Sequence, residues 1–164
     1  MLKYVDTAVT FSEIPDEITL CINISNCPCH CVNCHSSYLA NDIGENLDED
    51  ALVKLMLDNK GITCIAFMGG DSDPNYINWL AELIRDFGDS SDKGSWVDVK
   101  IAWYSGRQEL SSYIDLKNFD YIKLGPYIKE LGPLNSKTTN QRMYKIDNSC
   151  GRSIVTDITS RFWK

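Results

Sequence analysis

The sequence has no apolar run near the roughly 20 residues that a membrane-spanning helix needs, and no internal repeat or low-complexity tract. It also lacks a basic excess: 16 Lys plus Arg stand against 23 Asp plus Glu, a formal net charge of −7. That balance argues against a chain built to coat nucleic acid or an anionic membrane. The N-terminal "MLKYVDTAVTFSEIPDEI" carries no secretory signal, so a cytoplasmic setting is expected. An even cysteine count is missing too. Seven cysteines in a reducing compartment do not form a disulfide framework, and clustered cysteines there point to a metal or redox site. The 164 residues suffice for a single domain with a real core. Its core is expected over about 17–131, with a C-terminal extension over 132–164.

What is present alternates between two periods. "EITLCINIS" (Glu17 to Ser25) is short, β-branched and bounded by a polar Asn-Cys-Pro turn, which reads as a strand. "LDEDALVKLMLDN" places Leu52, Leu55 and Met56 at helical spacing behind an acidic first turn. The Asp and Glu run from Glu45 to Asp50 reads as a solvated helix start. "ITCIAFMGG" is a buried strand ending in two glycines. "DPNYINWLAELIRDFG" is the clearest helix, with Pro74 at its first position, Ile77, Leu80, Ala81 and Ile84 on one face, and Gly88 as its stop. "DSSDKGS" is an exposed loop. "VDVKIAWYSG" is a third strand, "RQELSSYIDL" a short helix and "DYIKLGP" a fourth strand, and "MYKI" and "RSIVTDI" are two further short strands. Strand and helix in alternation imply right-handed βαβ units and a mainly parallel α/β sheet. A complete eight-unit barrel takes about 250 residues, so a short open partial barrel is the expected fold.

The cysteine loop, Gly69-Gly70-Asp71, Ser105-Gly106 and Gly125-Pro126 each follow an expected strand. Ligand sites in parallel α/β folds form at the carboxyl ends of strands, so these loops point to one composite site. The cysteine loop, "CPCHCVNCH" (Cys27 to His35), admits three readings. A closed zinc site wants two separated cysteine pairs, and here all four cysteines crowd one segment. Ferredoxin-type clusters use C-x2-C-x2-C with a distant fourth ligand. The third reading takes Cys27, Cys31 and Cys34 as C-x3-C-x2-C, three thiolates for three irons of a four-iron cube, and leaves Cys29 as a spare thiol. His30 reads as a solvated loop residue, Cys21 and Cys64 as core residues and Cys150 as an exposed thiol. The tryptophans read mostly as packing, with Trp163 a possible partner contact.

C-x3-C-x2-C is the motif of the radical S-adenosylmethionine superfamily. "NISNCPCHCVNCHSSYLA", "FMGGD", "AWYSG", "GPY", "NQR" and "DITSRFWK", in that order, resemble the glycyl-radical activating enzymes that serve anaerobic ribonucleoside-triphosphate reductases. The likeness runs from about Thr10 to Lys164. It implies a partial barrel of the radical S-adenosylmethionine type and a [4Fe-4S] cluster on Cys27, Cys31 and Cys34. The fourth iron would be chelated by S-adenosylmethionine, whose reductive cleavage gives a radical that takes hydrogen from a glycine of the large reductase subunit. A reduced flavodoxin- or ferredoxin-type protein would supply the electron. Gly69, Gly70 and Asp71 would approach the cofactor, with backbone carbonyls accepting from its amino group. Asn33 and His35 would line its adenine side, and Ser105 and Gly106 its ribose or carboxylate. No side chain would be catalytic itself, since the chemistry is borne by the cofactor. The chain departs from the pattern at Asn33, where an aromatic residue is common, and at Lys123-Leu124, where relatives carry an acid before the Gly-Pro pair. Two alternative functions stand beside this one: an activase or maturase for another protein, and a non-catalytic zinc or iron–sulfur interaction module.

Overall fold

The computed structural model describes residues 1–89, 96 and 98–164. Beyond Asp89, the expected loop "DSSDKGS" lies outside the described residues, as does Val97 at the start of the expected third strand. Among the described residues eight strands form one sheet: β1 (Lys3–Thr10), β2 (Thr19–Ile24), β3 (Glu45–Asn46), β4 (Cys64–Met68), β5 (Lys100–Tyr104), β6 (Tyr121–Leu124), β7 (Arg142–Asp147) and β8 (Ile154–Asp157). Their order is β3-β1-β2-β4-β5-β6-β7-β8, so the sheet is open, with β3 and β8 at its ends. The helices are α1 (Glu49–Asp58) and α2 (Pro74–Asp89).

The expectation of a mainly parallel sheet is corrected. The three central pairings, β2 with β4, β4 with β5 and β5 with β6, are parallel. The four outer ones, β1 with β2 and β3, β6 with β7, and β7 with β8, are antiparallel. The physical reason lies in the connections. Parallel neighbours need a long crossover, and the chain supplies one between β2 and β4, β4 and β5, and β5 and β6. The links from β1 to β2 and from β7 to β8 are short and return the chain antiparallel, while the long segment between β6 and β7 (125–141) runs back along the sheet edge without a crossover.

Strand alternation divides the core into two faces. Leu20, Ile22, Ile24, Ile65, Phe67, Ile101, Trp103 and Ile122 point to the face covered by α1 and α2, where Leu52, Met56, Ile77, Leu80, Ala81 and Ile84 meet them. Each such large side chain, fully buried, contributes roughly 1.5–3 kcal/mol. The opposite face carries Cys21, Cys64, Ala66, Ala102, Tyr121 and Met143, packed beneath Ile14, Leu134, Ile158 and Phe162, the last from a 3-10 turn over Thr159–Phe162, rather than beneath an α-helix.

Local chemistry sets the helix ends. The Asp48 carboxylate accepts from Ala51 N at 2.9 Å and caps α1. The expected helix over Arg107–Leu116 is absent; bends and turns take its place, followed by a single 3-10 turn, Leu116–Asn118. Ser111 Oγ accepts from Tyr113 N, and the Asp115 carboxylate from Lys117 N. Such local side-chain bonds compete with a helical ladder. Among the described residues no helix is long and apolar enough to cross a membrane.

Candidate metal and cofactor site

The cysteine loop leaves β2 and is pinned at its base. Asn26 N donates to Asn41 O at 3.0 Å, Cys27 N to Leu39 O at 2.9 Å, and Ser25 Oγ to Ile43 O at 2.6 Å. Within it, Asn26 (φ 60°), His30 (φ 44°) and Asn33 (φ 58°) are left-handed. Each immediately precedes a cysteine of the C-x3-C-x2-C triad. Asn and His tolerate that conformation better than most residues, so the loop coils at Cys27, Cys31 and Cys34 without glycine.

All four loop cysteines line a cavity of about 190 Å³, together with Gly69, Asp71, Ser105 and Gly106. Asp71 ties these pieces together. It is 1% exposed. Its Oδ1 accepts from Ser105 Oγ at 2.6 Å, and its Oδ2 from Gly106 N at 2.8 Å and the Cys29 thiol at 3.7 Å. Arg107 donates to the Asp71 carbonyl at 3.2 Å. Glycine is required at 106, because a Cβ there would lie 2.6 Å from Cys29 Sγ.

Seven of the sequence-predicted residues thus share the cavity: Cys27, Cys31, Cys34, Gly69, Asp71, Ser105 and Gly106. Asn33, His35 and Gly70 do not line it. Asn33 and His35 are exposed. Gly70, left-handed at φ 89°, faces away: a Cβ there would run into Ile77 and Leu2, so its glycine serves the packing of α2. Gly69 O already accepts from Trp103 Nε1 at 2.7 Å and Gly70 O from Asp73 N at 3.0 Å, which leaves each carbonyl one lone pair.

Among the other lining residues, Gln141 and Tyr104 carry no sequence signal, Lys123 stands out there only as a departure from the family pattern, and Cys29 reads as a spare thiol. Gln141 comes from the approach to β7 and Tyr104 from β5. Lys123 shares the small-residue face with Tyr121, two positions earlier in β6. It is 8% exposed and its Nζ donates to Gly125 O at 2.7 Å. Burial lowers its pKa to about 8, against the pull of Asp71, Cys31, Cys29 and Cys34, which favour the cation. A lysine inside an otherwise apolar strand was the signal for it. The Cys29 thiol is pushed up to about 12, first by burial, then by the Asp71 carboxylate and its neighbours Cys27 and Cys31.

The sulfurs of Cys27 and Cys29 and a carboxylate oxygen of Asp71 all lie within 4.8 Å of one another. Among the described residues no other three His, Cys, Asp or Glu side chains meet that closely. Cys31 and Cys34 line the same cavity but stand outside this tight group. Two thiolates on one zinc-sized ion sit about 3.8 Å apart, from a metal–sulfur bond of about 2.3 Å. A four-iron cluster would take its thiolates on different irons and so would hold them further apart. The cavity therefore contains a compact donor set and a wider one, with Cys27 common to both.

A second cavity of about 560 Å³ shares Tyr104, Lys123 and Gln141 with the first and is bordered by Arg161, Phe162 and Lys164 of the C-terminal segment. Comparison of the chain with protein-family models, with curated proteins and with solved structures finds no match in any of the three.

Proposed function

We propose that the chain is a radical S-adenosylmethionine activating enzyme: Cys27, Cys31 and Cys34 hold a [4Fe-4S] cluster, and the substrate is a glycine of an anaerobic ribonucleotide reductase. The observation that carries this reading is the convergence of the three cysteines with Gly69, Asp71, Ser105 and Gly106 in one cavity, where β2, β4 and β5 end side by side in parallel. A structural metal needs only the cysteines. Bound strand ends, with an open carbonyl at Gly69, suit a second ligand beside the metal.

The donor set fits the group. Soft thiolates on a coiled loop are what iron–sulfur clusters take, and three of them leave one iron open. Cluster and S-adenosylmethionine, when bound, supply the one-electron chemistry. The chain's own residues position it. Asp71 fixes Ser105 and Gly106 against the loop, and Gly69 O retains a lone pair for an amino group. Lys123 uses one N–H on Gly125 O and keeps two for a carboxylate. The adjoining cavity gives a partner's segment an approach along the helix-free face. The electron donor in this reading is a reduced flavodoxin- or ferredoxin-type protein.

Anaerobic EPR of iron- and sulfide-reconstituted, reduced protein tests the proposal. The expected result is a [4Fe-4S]⁺ signal that changes on adding S-adenosylmethionine and is lost in Cys27→Ala, Cys31→Ala and Cys34→Ala. A chain that builds no cluster, or a cluster blind to S-adenosylmethionine, would overturn it.

A further inference from the structure

We propose that Cys27, Cys29 and Asp71 form a separate site for one zinc-class divalent ion, whose occupancy excludes the cluster because Cys27 belongs to both. The site goes beyond the function proposed above and stands without it; its exclusion of the cluster rests on that reading.

Geometry carries it. The three donor atoms lie within 4.8 Å of one another, and Cys29 Sγ is 3.7 Å from Asp71 Oδ2. A tetrahedral ion with a metal–sulfur bond of about 2.3 Å and a metal–oxygen bond of about 2.1 Å sets that edge at about 3.6 Å. The Cys29–Asp71 edge already stands at that spacing, and Cys27 Sγ lies within 4.8 Å of both atoms. The carboxylate is oriented as metal-binding carboxylates are, by hydrogen bonds to its oxygens from behind: Ser105 Oγ holds Oδ1 at 2.6 Å and Gly106 N holds Oδ2 at 2.8 Å. Oδ2 keeps a lone pair, now facing the Cys29 thiol proton. A divalent ion takes that proton's place, the thiol protons leave to solvent, and a water completes four-coordination. Two thiolates and a carboxylate around a divalent ion leave one negative charge, which the buried Lys123 at the same cavity offsets. Gly106 has no Cβ where Cys29 Sγ sits, so the backbone accommodates this thiol specifically.

The two donor sets make opposite demands on the mutants. Full-length, metal-free, reduced protein is titrated with Co²⁺ under argon, following the cobalt–thiolate charge-transfer and d–d bands. One equivalent is expected with the intense d–d absorption of four-coordination. Cys29→Ser and Asp71→Asn should weaken binding at least tenfold, while Cys34→Ser stays within about twofold; near-ultraviolet circular dichroism shows that each variant is folded. Zinc-loaded protein should take up iron and sulfide only after a chelator removes the zinc. The proposal is overturned by the absence of a cobalt–thiolate band, by Cys34→Ser losing as much affinity as Cys29→Ser, or by cluster assembly with zinc retained. If wild-type protein builds no cluster yet binds cobalt through Cys29, the enzyme reading falls and this site stands.

Discussion

Replacing Lys123 by Met tests the buried charge at the heart of the cavity. The side chain is 8% exposed and has one carbonyl partner, Gly125 O. Burial moves its pKa from 10.5 down to about 8. Between those values the unfolded chain holds a proton that the folded chain has released, so stability rises with pH across that window. The lysine's cost is complete below about pH 8 and fades toward about pH 10.5. A displacement of about 2.5 pH units, at 1.36 kcal/mol per unit, makes that cost on the order of 3 kcal/mol. Met fills a similar volume without charge but leaves Gly125 O without its donor, which removes about 1 kcal/mol. Lys123→Met should therefore be more stable than the natural chain by about 2 kcal/mol at neutral pH, and the gain should vanish by about pH 10. Urea unfolding of the two metal-free, reduced proteins over that pH series measures it. A gain that does not change with pH, or a Met variant less stable at neutral pH, would refute the reasoning.

Three further outcomes follow from the same geometry. Gly106→Ala sets a methyl 2.6 Å from Cys29 Sγ and should cost about 1–3 kcal/mol; adding Cys29→Ala should recover most of it, which thermal unfolding of the double-mutant cycle resolves. Asn33 is left-handed at φ 58°, so Asn33→Gly should be near neutral while Asn33→Val loses about 1–2 kcal/mol and slows cluster uptake, read by denaturation and iron content. Maleimide labelling of the native metal-free protein, followed by mass spectrometry, should modify exposed Cys150 first and spare Cys64 (0% exposed) and Cys21 (5% exposed) until unfolding.

Legibility in the sequence followed the strength of local signals. Helix α2 begins at Pro74 as its pattern indicates, and Ile77, Leu80, Ala81 and Ile84 are all buried. Strands β2, β4, β5 and β6 sit where β-branched runs and glycine stops put them, and β7 and β8 fall on "MYKI" and "IVTD". Strand β1 went unread because "KYVDTAVT" is half-exposed with no apolar stripe; its place is set by pairing with β2, a non-local fact. The helix expected after Arg107 failed because serine and aspartate bonds turned the chain locally. In the site, spacing was enough to group Cys27, Cys31 and Cys34. The left-handed backbone of Gly70 and Asn33 was invisible until φ was known. Cys29 was set aside as a spare because its partner Asp71 is 42 residues away, a distance that no spacing rule reaches.

That separation makes the two donor groups unequal before the chain has folded. Cys27, Cys31 and Cys34 lie within eight residues, so a single loop keeps them near one another whatever the rest of the chain does. Cys29 meets Asp71 only once β2 and β4 are paired and β5 has brought in Ser105 and Gly106. The compact group is a product of the fold, and unfolding disperses it while the local group stays together.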